Sequence, residues 1–484
     1  MRYNFPHFRI DRSDFLKGGN TYDDYPDAGI IYSSVGYNSF KKPGFLTVSP
    51  DIIGDGTSKD PNLPTGVGIS FARGKNGLSQ ETVCIGTNAS SDGYFYTMND
   101  ATGSLSLVGS ADTVNNYTKG KCTTVFYHGN YYTTSDRDIT LNVPGLTAVS
   151  RNVSWWQTTK TMAPLDGNSP HPQVVFGDIH YIADGQYIHQ NDNGTTQYNV
   201  FDLGPDWVIT AMEVYNNLIY IAAEPYYNFS GTYHGLAKIF TWNGYAVSWL
   251  DEYLVENRIS SMIVFKNILY VFMKNYFAYF NGSIVKNLYP VANQIYQHQV
   301  TSTSDSIWFA DGTTVIRYGS PYPTGQYRFH RYFSTVSLAI NGITSPAYES
   351  LFLATTGSTN GSDYFTTDVN TPTASGSKSI SATFNKRMFV TPVKIRGVVV
   401  QLRDQLTASP TQAVGIGYIN DEDVSKTKNF TGGNATQVGQ QRWRFDFFSQ
   451  PASRRIQPFV TIQVNAYIEW IDFLYEGSED MLNA

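Results

Sequence analysis

The chain has 484 residues, of which 41% are hydrophobic, 15% aromatic and only 15% charged, and it carries a net charge of −6. That length exceeds what one small core can use, and the mild negative charge without a Lys/Arg-rich run excludes an electrostatic grip on nucleic acid. With 35 Tyr, 29 Phe and 41 Gly, the composition suits short pleated strands and turns and argues for an all-β protein.

In chain order, the first 47 residues read as an N-terminal arm with the first strands. Its opening has no apolar core of the signal-peptide kind. Phe15-Leu16-Lys17-Gly18-Gly19-Asn20-Thr21-Tyr22-Asp23-Asp24 comes first, and Asn38-Ser39-Phe40-Lys41-Lys42-Pro43-Gly44-Phe45 follows. Gly18-Gly19 permits a tight reversal, and Pro43 presets φ in a turn.

From 48 to 378 a strand signature recurs: a turn, an apolar-aromatic-apolar strand, then a second turn and strand. Gly177-Asp178-Ile179-His180-Tyr181-Ile182-Ala183, Asn216-Asn217-Leu218-Ile219-Tyr220-Ile221-Ala222 and Lys266-Asn267-Ile268-Leu269-Tyr270-Val271-Phe272 are its clearest copies. The aromatic markers are Tyr96, Tyr131, Tyr181, Tyr220, Tyr270, Trp308 and Phe352, and their spacing falls in the range of a four-stranded propeller blade, roughly 40–50 residues. One blade cannot bury both of its faces, so neighbours stack around a channel. The pattern predicts a degenerate β-propeller of about six to eight blades, with stacked β-sandwiches as the competing arrangement. Asn243-Gly244 and Asn281-Gly282 are expected to form type I′ hairpins.

Thr366 to Ser379 is rich in Thr, Ser, Gly and Pro and reads as a linker. Beyond it, 379–476 is expected to be a β-sandwich. Val393 and Ile395 alternate with Lys394 and Arg396, then the parity shifts after Gly397 to Val398, Val400 and Leu402, which indicates a bulge. Trp443, Phe445 and Phe447 share one face, and Trp443, Phe445 and Trp470 are expected in or near the core. Residues 477–484 read as a polar tail. From residue 386 onward there are 11 Lys and Arg against 10 Asp and Glu, net +1, and the part before holds 23 against 30, net −7.

Motifs for chemistry are sparse. There is no Gly-x-Ser-x-Gly elbow and no phosphate-binding Gly-x-x-x-x-Gly-Lys loop. Cys84 and Cys122 read as small buried hydrophobes, and His180 and His189, which straddle a hairpin, as packing residues. Ser90-Ser91-Asp92-Gly93-Tyr94-Phe95 departs from the Asp-containing turn of sialidases. Asn191-Asp192-Asn193-Gly194 and Asn420-Asp421-Glu422-Asp423 read as tight turns instead of calcium loops. Trp155, Trp156, Tyr226 and Tyr227 adjoin polar residues and are candidates for stacking on glycans. The expectation is a non-enzyme without cofactor or metal.

The Gly18-Gly19-Asn20-Thr21 and Lys41-Lys42-Pro43-Gly44 elements resemble the opening of tail hub (nozzle) proteins of short-tailed, podovirus-type bacteriophages, where similar elements flank the first propeller strands. The resemblance implies a structural virion protein, assembled in the host cytoplasm and placed at the distal tail. It implies a homo-oligomeric ring, six subunits being the expected order, around the DNA exit channel. Its partners would be the tail adaptor and tail fibre or spike proteins, with genomic DNA passing through unbound during ejection. Gly18, Gly19, Asn20, Thr21, Lys41, Lys42, Pro43 and Gly44 would then form an assembly arm. The alternative reading is a glycan- or receptor-binding propeller, a tail-associated adhesin.

Overall fold

A computed structural model describes residues 6–15, 31–33, 37–38, 46–48, 53–54, 67–76, 79–87, 93–98, 105–107, 122–134, 139–142, 151–153, 170–193, 195–225, 236–320, 327–334, 339–345, 351–355, 363–366, 379–384, 386–403, 414–422, 424–429, 435–439, 441–447, 450–463 and 467–477. The chain is all-β, a seven-bladed propeller followed by a C-terminal β-sandwich.

Each blade is a four-stranded antiparallel sheet in simple meander order. Blade 1 is Val67–Asn76, Ser79–Thr87, Gly93–Met98 and Leu105–Leu107. Blade 2 is Thr124–Tyr127, Asn130–Thr134, Ile139–Asn142 and Arg151–Val153. Blade 3 is Gln173–Phe176, Ile179–Asp184, Tyr187–Asp192 and Thr195–Asp202. Blade 4 is Trp207–Tyr215, Leu218–Pro225, Ala237–Trp242 and Asp251–Val255. Blade 5 is Ile259–Phe265, Ile268–Met273, Tyr276–Phe280 and Val285–Pro290. Blade 6 is Val300–Ser302, Ser306–Asp311, Thr314–Gly319 and Arg328–Ser334. Blade 7 takes three strands from late in the chain, Ile340–Thr344, Leu351–Thr355 and Asp363–Thr366, and its fourth from the beginning, Ile53–Gly54. There Tyr364 pairs with Gly54 and Phe365 with Ile53. The first strands of successive blades contact one another in a closed circuit, blade 7 returning to blade 1.

The repeat has a physical cause in the second strand, which is buried on both faces. Tyr181 and Ala183 point to blade 4, where Ile219 and Ile221 meet them. Tyr220 and Ala222 point on to Leu269 and Val271 of blade 5. Phe272 and Phe277 of blade 5 meet Phe309 of blade 6, with ring centroids 5.2 and 5.3 Å away. Alternation with period two therefore feeds two neighbouring interfaces from one strand. Tyr181, Tyr220, Tyr270 and Trp308 hold the same place, third in the second strand, and all are buried.

Two markers are displaced. Tyr96 lies on the third strand of blade 1, not the second. In blade 2 the register equivalent of Tyr181 is Tyr132, because Tyr127 pairs with Asn130 as Phe176 pairs with Ile179. The hairpins also differ from expectation. Residues with positive φ at both central positions are His128-Gly129, Gly177-Asp178, Asn216-Asn217 and Lys266-Asn267, which join first to second strands. Asn243 and Asn281 have no such φ. Their side-chain oxygens accept the amides of Tyr245 and Ala246, and of Ser283 and Ile284, so each builds a wider turn.

The C-terminal sandwich has two five-stranded sheets. One runs His7–Ile10, Ile468–Glu476, Arg387–Leu402, Arg442–Asp446, Ala435–Gly439. The other runs Ile31–Ser33, Ser379–Phe384, Ser453–Gln463, Val414–Ile419, Ser425–Asn429. The long strands Arg387–Leu402 and Ser453–Gln463 pair near Val393 and link the two. Described residues of the N-terminal segment thus supply strands to this sandwich. Phe8, Ile10, Phe15 and Leu46 sit in its core, and Leu46 exchanges backbone hydrogen bonds with Ile468. The bulge falls at Arg396, where the register slips between Ile395 and Gly397. Val393, Ile395, Val398, Val400 and Leu402 consequently all reach the core. Phe445 and Phe447 are buried there, and Trp443 packs partly buried against them. Trp470 lies on the opposite face of its strand from Ile471 and Phe473, between the guanidinium groups of Arg9 and Arg442, 4.4 and 5.1 Å from its ring. Beside it Arg9 grips the fully buried Asp472 through two hydrogen bonds of 2.7 and 2.8 Å. The pleat of the strand thus turns this indole toward the two guanidinium groups.

Candidate functional site

The residues nominated for an assembly arm (Gly18, Gly19, Asn20, Thr21, Lys41, Lys42, Pro43, Gly44) and for glycan stacking (Trp155, Trp156, Tyr226, Tyr227) lie outside the described residues. Short strands near the arm are described. Ile31–Ser33 joins the sandwich, and Tyr37–Asn38 pairs with Thr47–Val48.

Among the described residues, a set of polar contacts recurs at the end of the propeller where first strands begin and second strands turn into third. In blades 2 to 5 the fifth residue of the second strand is hydrogen-bonded there by a residue at the start of the first strand or just before it. Thr134 N–H donates to Thr123 O in blade 2. His171 Nδ1 lies 3.2 Å from Ala183 O in blade 3. Thr210 Oγ1 donates to Ala222 O in blade 4, and Ser260 Oγ to Phe272 O in blade 5. Thr210 and Ser260 are the extra residues of bulges in the first strands, so the side chain turns inward where the ladder breaks. Two equivalent bonds tie blade to blade: Ile209 N–H to Gly185 O and Ile340 N–H to Gly312 O, both 2.8 Å.

Carboxylates follow immediately. Asp184 Oδ2 stands 3.5 Å from His189 Nε2, and its Oδ1 stands 4.0 Å from His171 Nδ1. His189 Nδ1 accepts the Asn199 amide, so its Nε2 carries the proton. His171 Nδ1, facing the Ala183 carbonyl, likewise carries one. Both nitrogens nearest Asp184 are donors, which suits a hydrogen-bonded support for the hairpin and does not suit a metal. Among the described residues no group of three His, Cys, Asp or Glu side chains could hold a metal ion. Glu224, at the end of the second strand of blade 4, is buried and pairs with Arg258 at 3.2 Å. Burial raises its pKa, and Arg258 and Lys274 oppose that rise. Asp311 accepts the amides of Ala292 and Asn293 at 2.9 Å each. The rim is thus a set of acids, each already engaged.

A second polar cluster lies between blades 2 and 3. Gln173 Nε2 reaches Thr123 O at 2.9 Å and Tyr132 O at 3.3 Å, while its Oε1 accepts from His180 Nε2 at 2.8 Å. His180 packs against the rings of Tyr127 and Tyr132, centroids 5.6 and 5.0 Å away. Burial pulls its pKa down to about 3, so it is neutral. His330 is pulled down to about 3 by burial, with Arg317 and Arg328 adding to it. Glu213, on the first strand of blade 4, is pushed up to about 7 by burial, against the hydrogen bond it accepts from Val214 N–H. His171, Gln173 and Glu213 carry no motif; their only sequence signal is a polar residue inside or just before an apolar strand.

No family model matches the chain, and no curated protein matches it. Among solved structures it is similar to YCF48 bound to D1 peptide, at 10% identity and a TM-score of 0.43, over 66% of this chain and 97% of that one. It is also similar to YCF48 from Cyanidioschyzon merolae, at 11% identity and a TM-score of 0.42, over 63% of this chain and 97% of that one.

Proposed function

We propose that the chain is a structural subunit of a virion tail, a hub or nozzle protein that forms a ring around the DNA exit channel. The observation that supports this reading best is the path of the chain. It begins in the β-sandwich, closes seven blades, and returns to the same sandwich. Propeller and sandwich in that order are the architecture that the Gly18–Gly44 resemblance implies. Described strands from early and late in the sequence pair in that sandwich, and the propeller is shut by its own first strand.

A closed ring is a heterologous assembly, so each subunit supplies two different complementary patches. DNA has to slide past without being held. The net charge of −7 before residue 386 fits that requirement, because phosphate-neutralising contacts would retain it. The test is electron microscopy of the purified protein with its tail adaptor, alongside a DNA-binding measurement. A closed ring of six subunits is expected, with no double-stranded DNA bound at about 150 mM salt. Monomers in the presence of the adaptor, or micromolar DNA affinity, would overturn the proposal.

A further inference from the structure

Blade 4 carries an aromatic surface that the hub reading does not use. Its side toward blade 3 is apolar near the channel, where Ile209, Met212, Ile219 and Ile221 are covered. Farther out the same side presents Trp207, Lys238, Phe240, Trp249, Glu252 and Leu254. Strand register puts four of these on one face: Lys238 pairs with Leu254 and Phe240 with Glu252. Phe240 is buried and acts as a post. Trp207 stands edge-on to it at 5.4 Å and 78°, and Trp249 at 5.2 Å and 65°. Trp249 is 37% exposed and Leu254 60%. Lys238 Nζ lies 5.2 Å from the centre of the Trp207 ring and donates to Glu252 Oε1 at 2.7 Å.

We infer that this face of blade 4 binds a neutral glycan, with a sugar ring stacked on Trp249 and its hydroxyls met by Glu252 and Lys238. Three features select that chemistry. An aromatic ring held by a neighbour offers a flat apolar plane at small entropic cost, and the C–H face of a pyranose is the matching surface. Directly beside it stands an ion pair with no net charge, which favours neither an anion nor a cation. That pair still offers a second carboxylate oxygen and further ammonium hydrogens, the donor and acceptor set a polyol needs. An apolar protein partner would instead leave the Lys238–Glu252 pair desolvated and unrewarded. The inference is independent of the ring proposal, since glycan binding needs no second subunit.

The test uses the protein on an array of neutral hexose, N-acetylhexosamine and deoxyhexose oligosaccharides, followed by calorimetric titration of the strongest binder. Trp249→Ala is expected to weaken binding roughly tenfold or more, since a lost stacking contact of that size is about 1.4 kcal/mol. Glu252→Gln is expected to weaken it less, and Val247→Ser, which alters the most exposed apolar residue of the adjoining loop, not at all. Trp249 is at the surface, so circular dichroism should be unchanged. No glycan bound by the wild-type chain, or binding indifferent to Trp249→Ala, overturns the inference. A Trp249→Ala protein altered only in its oligomeric state overturns it too, and makes the face an interface between copies.

Discussion

The two sides of blade 3 solve the same packing problem in opposite ways. Toward blade 4, Tyr181, Ala183, Ile188 and Phe201 close on Ile219, Ile221, Phe240 and Trp242 in an apolar seam. Toward blade 2, the alternate residue His180 joins Gln173, Thr123 and the Tyr132 carbonyl in a hydrogen-bonded seam. One strand, Ile179–Asp184, supplies both through the two faces of its pleat. The apolar seam tolerates approximate shapes and loses stability in proportion to the volume removed. The polar seam is satisfied as a set, and the loss of one member strands the others.

Trp242→Ala breaks the apolar seam and should have the largest effect. Its indole is fully buried, touches Tyr181 and Phe201 at 5.4 and 4.7 Å, and donates to Ala246 O. A loss of about 3–5 kcal/mol in urea unfolding is expected. A loss below about 1 kcal/mol would show that the neighbours collapse into the space.

Gln173→Ala attacks the polar seam. It leaves the His180 Nε2–H buried without its acceptor, at a cost of about 1–3 kcal/mol. The double replacement Gln173→Leu with His180→Phe should recover most of that loss, because no stranded donor remains. If the double variant is as unstable as the single one, the seam is held by shape and not by its hydrogen bonds.

Glu213→Gln places a titrating group in the comparison. Glu213 shares the face of Ala211 and Tyr215 toward blade 5, and its pKa of about 7 stands above the ordinary value of 4.5. The unfolded chain therefore releases this proton first, and the stability that it confers is lost as pH rises from about 4.5 through 7. The Gln variant should match the wild type below about pH 4.5 and exceed it by roughly 1–3 kcal/mol above pH 7. Parallel stability curves for the two proteins across that range would show that Glu213 is solvated.

The sequence made the propeller legible because each second strand has to be apolar on both faces and follows a turn. Tyr181, Tyr220 and Tyr270 advertise that rule, and the Asn216-Asn217 and Lys266-Asn267 turns, with positive φ at both central residues, punctuate it. Register within a strand was less legible, since an aromatic run such as Tyr131-Tyr132 offers two candidates for one position. The polar seam left almost no trace, because a Gln or His within a strand does not announce its partner. The sandwich was legible only in its C-terminal part. Arg9 meets Asp472 across 463 positions of sequence, and no local pattern encodes such a pairing.

The strand that shuts the propeller has a consequence in time. Ile53–Gly54 emerges from the ribosome long before Asp363–Thr366, its pairing partner, and His7–Ile10 waits longer still for Ile471–Leu474. The middle blades can meander into sheets as they are made, since their pairings are local. Both early strands have to remain unclaimed until their partners are made. A chain truncated before Asp363–Thr366 therefore yields blades without closure, and one truncated before Ile468–Glu476 leaves His7–Ile10 without its pairing strand.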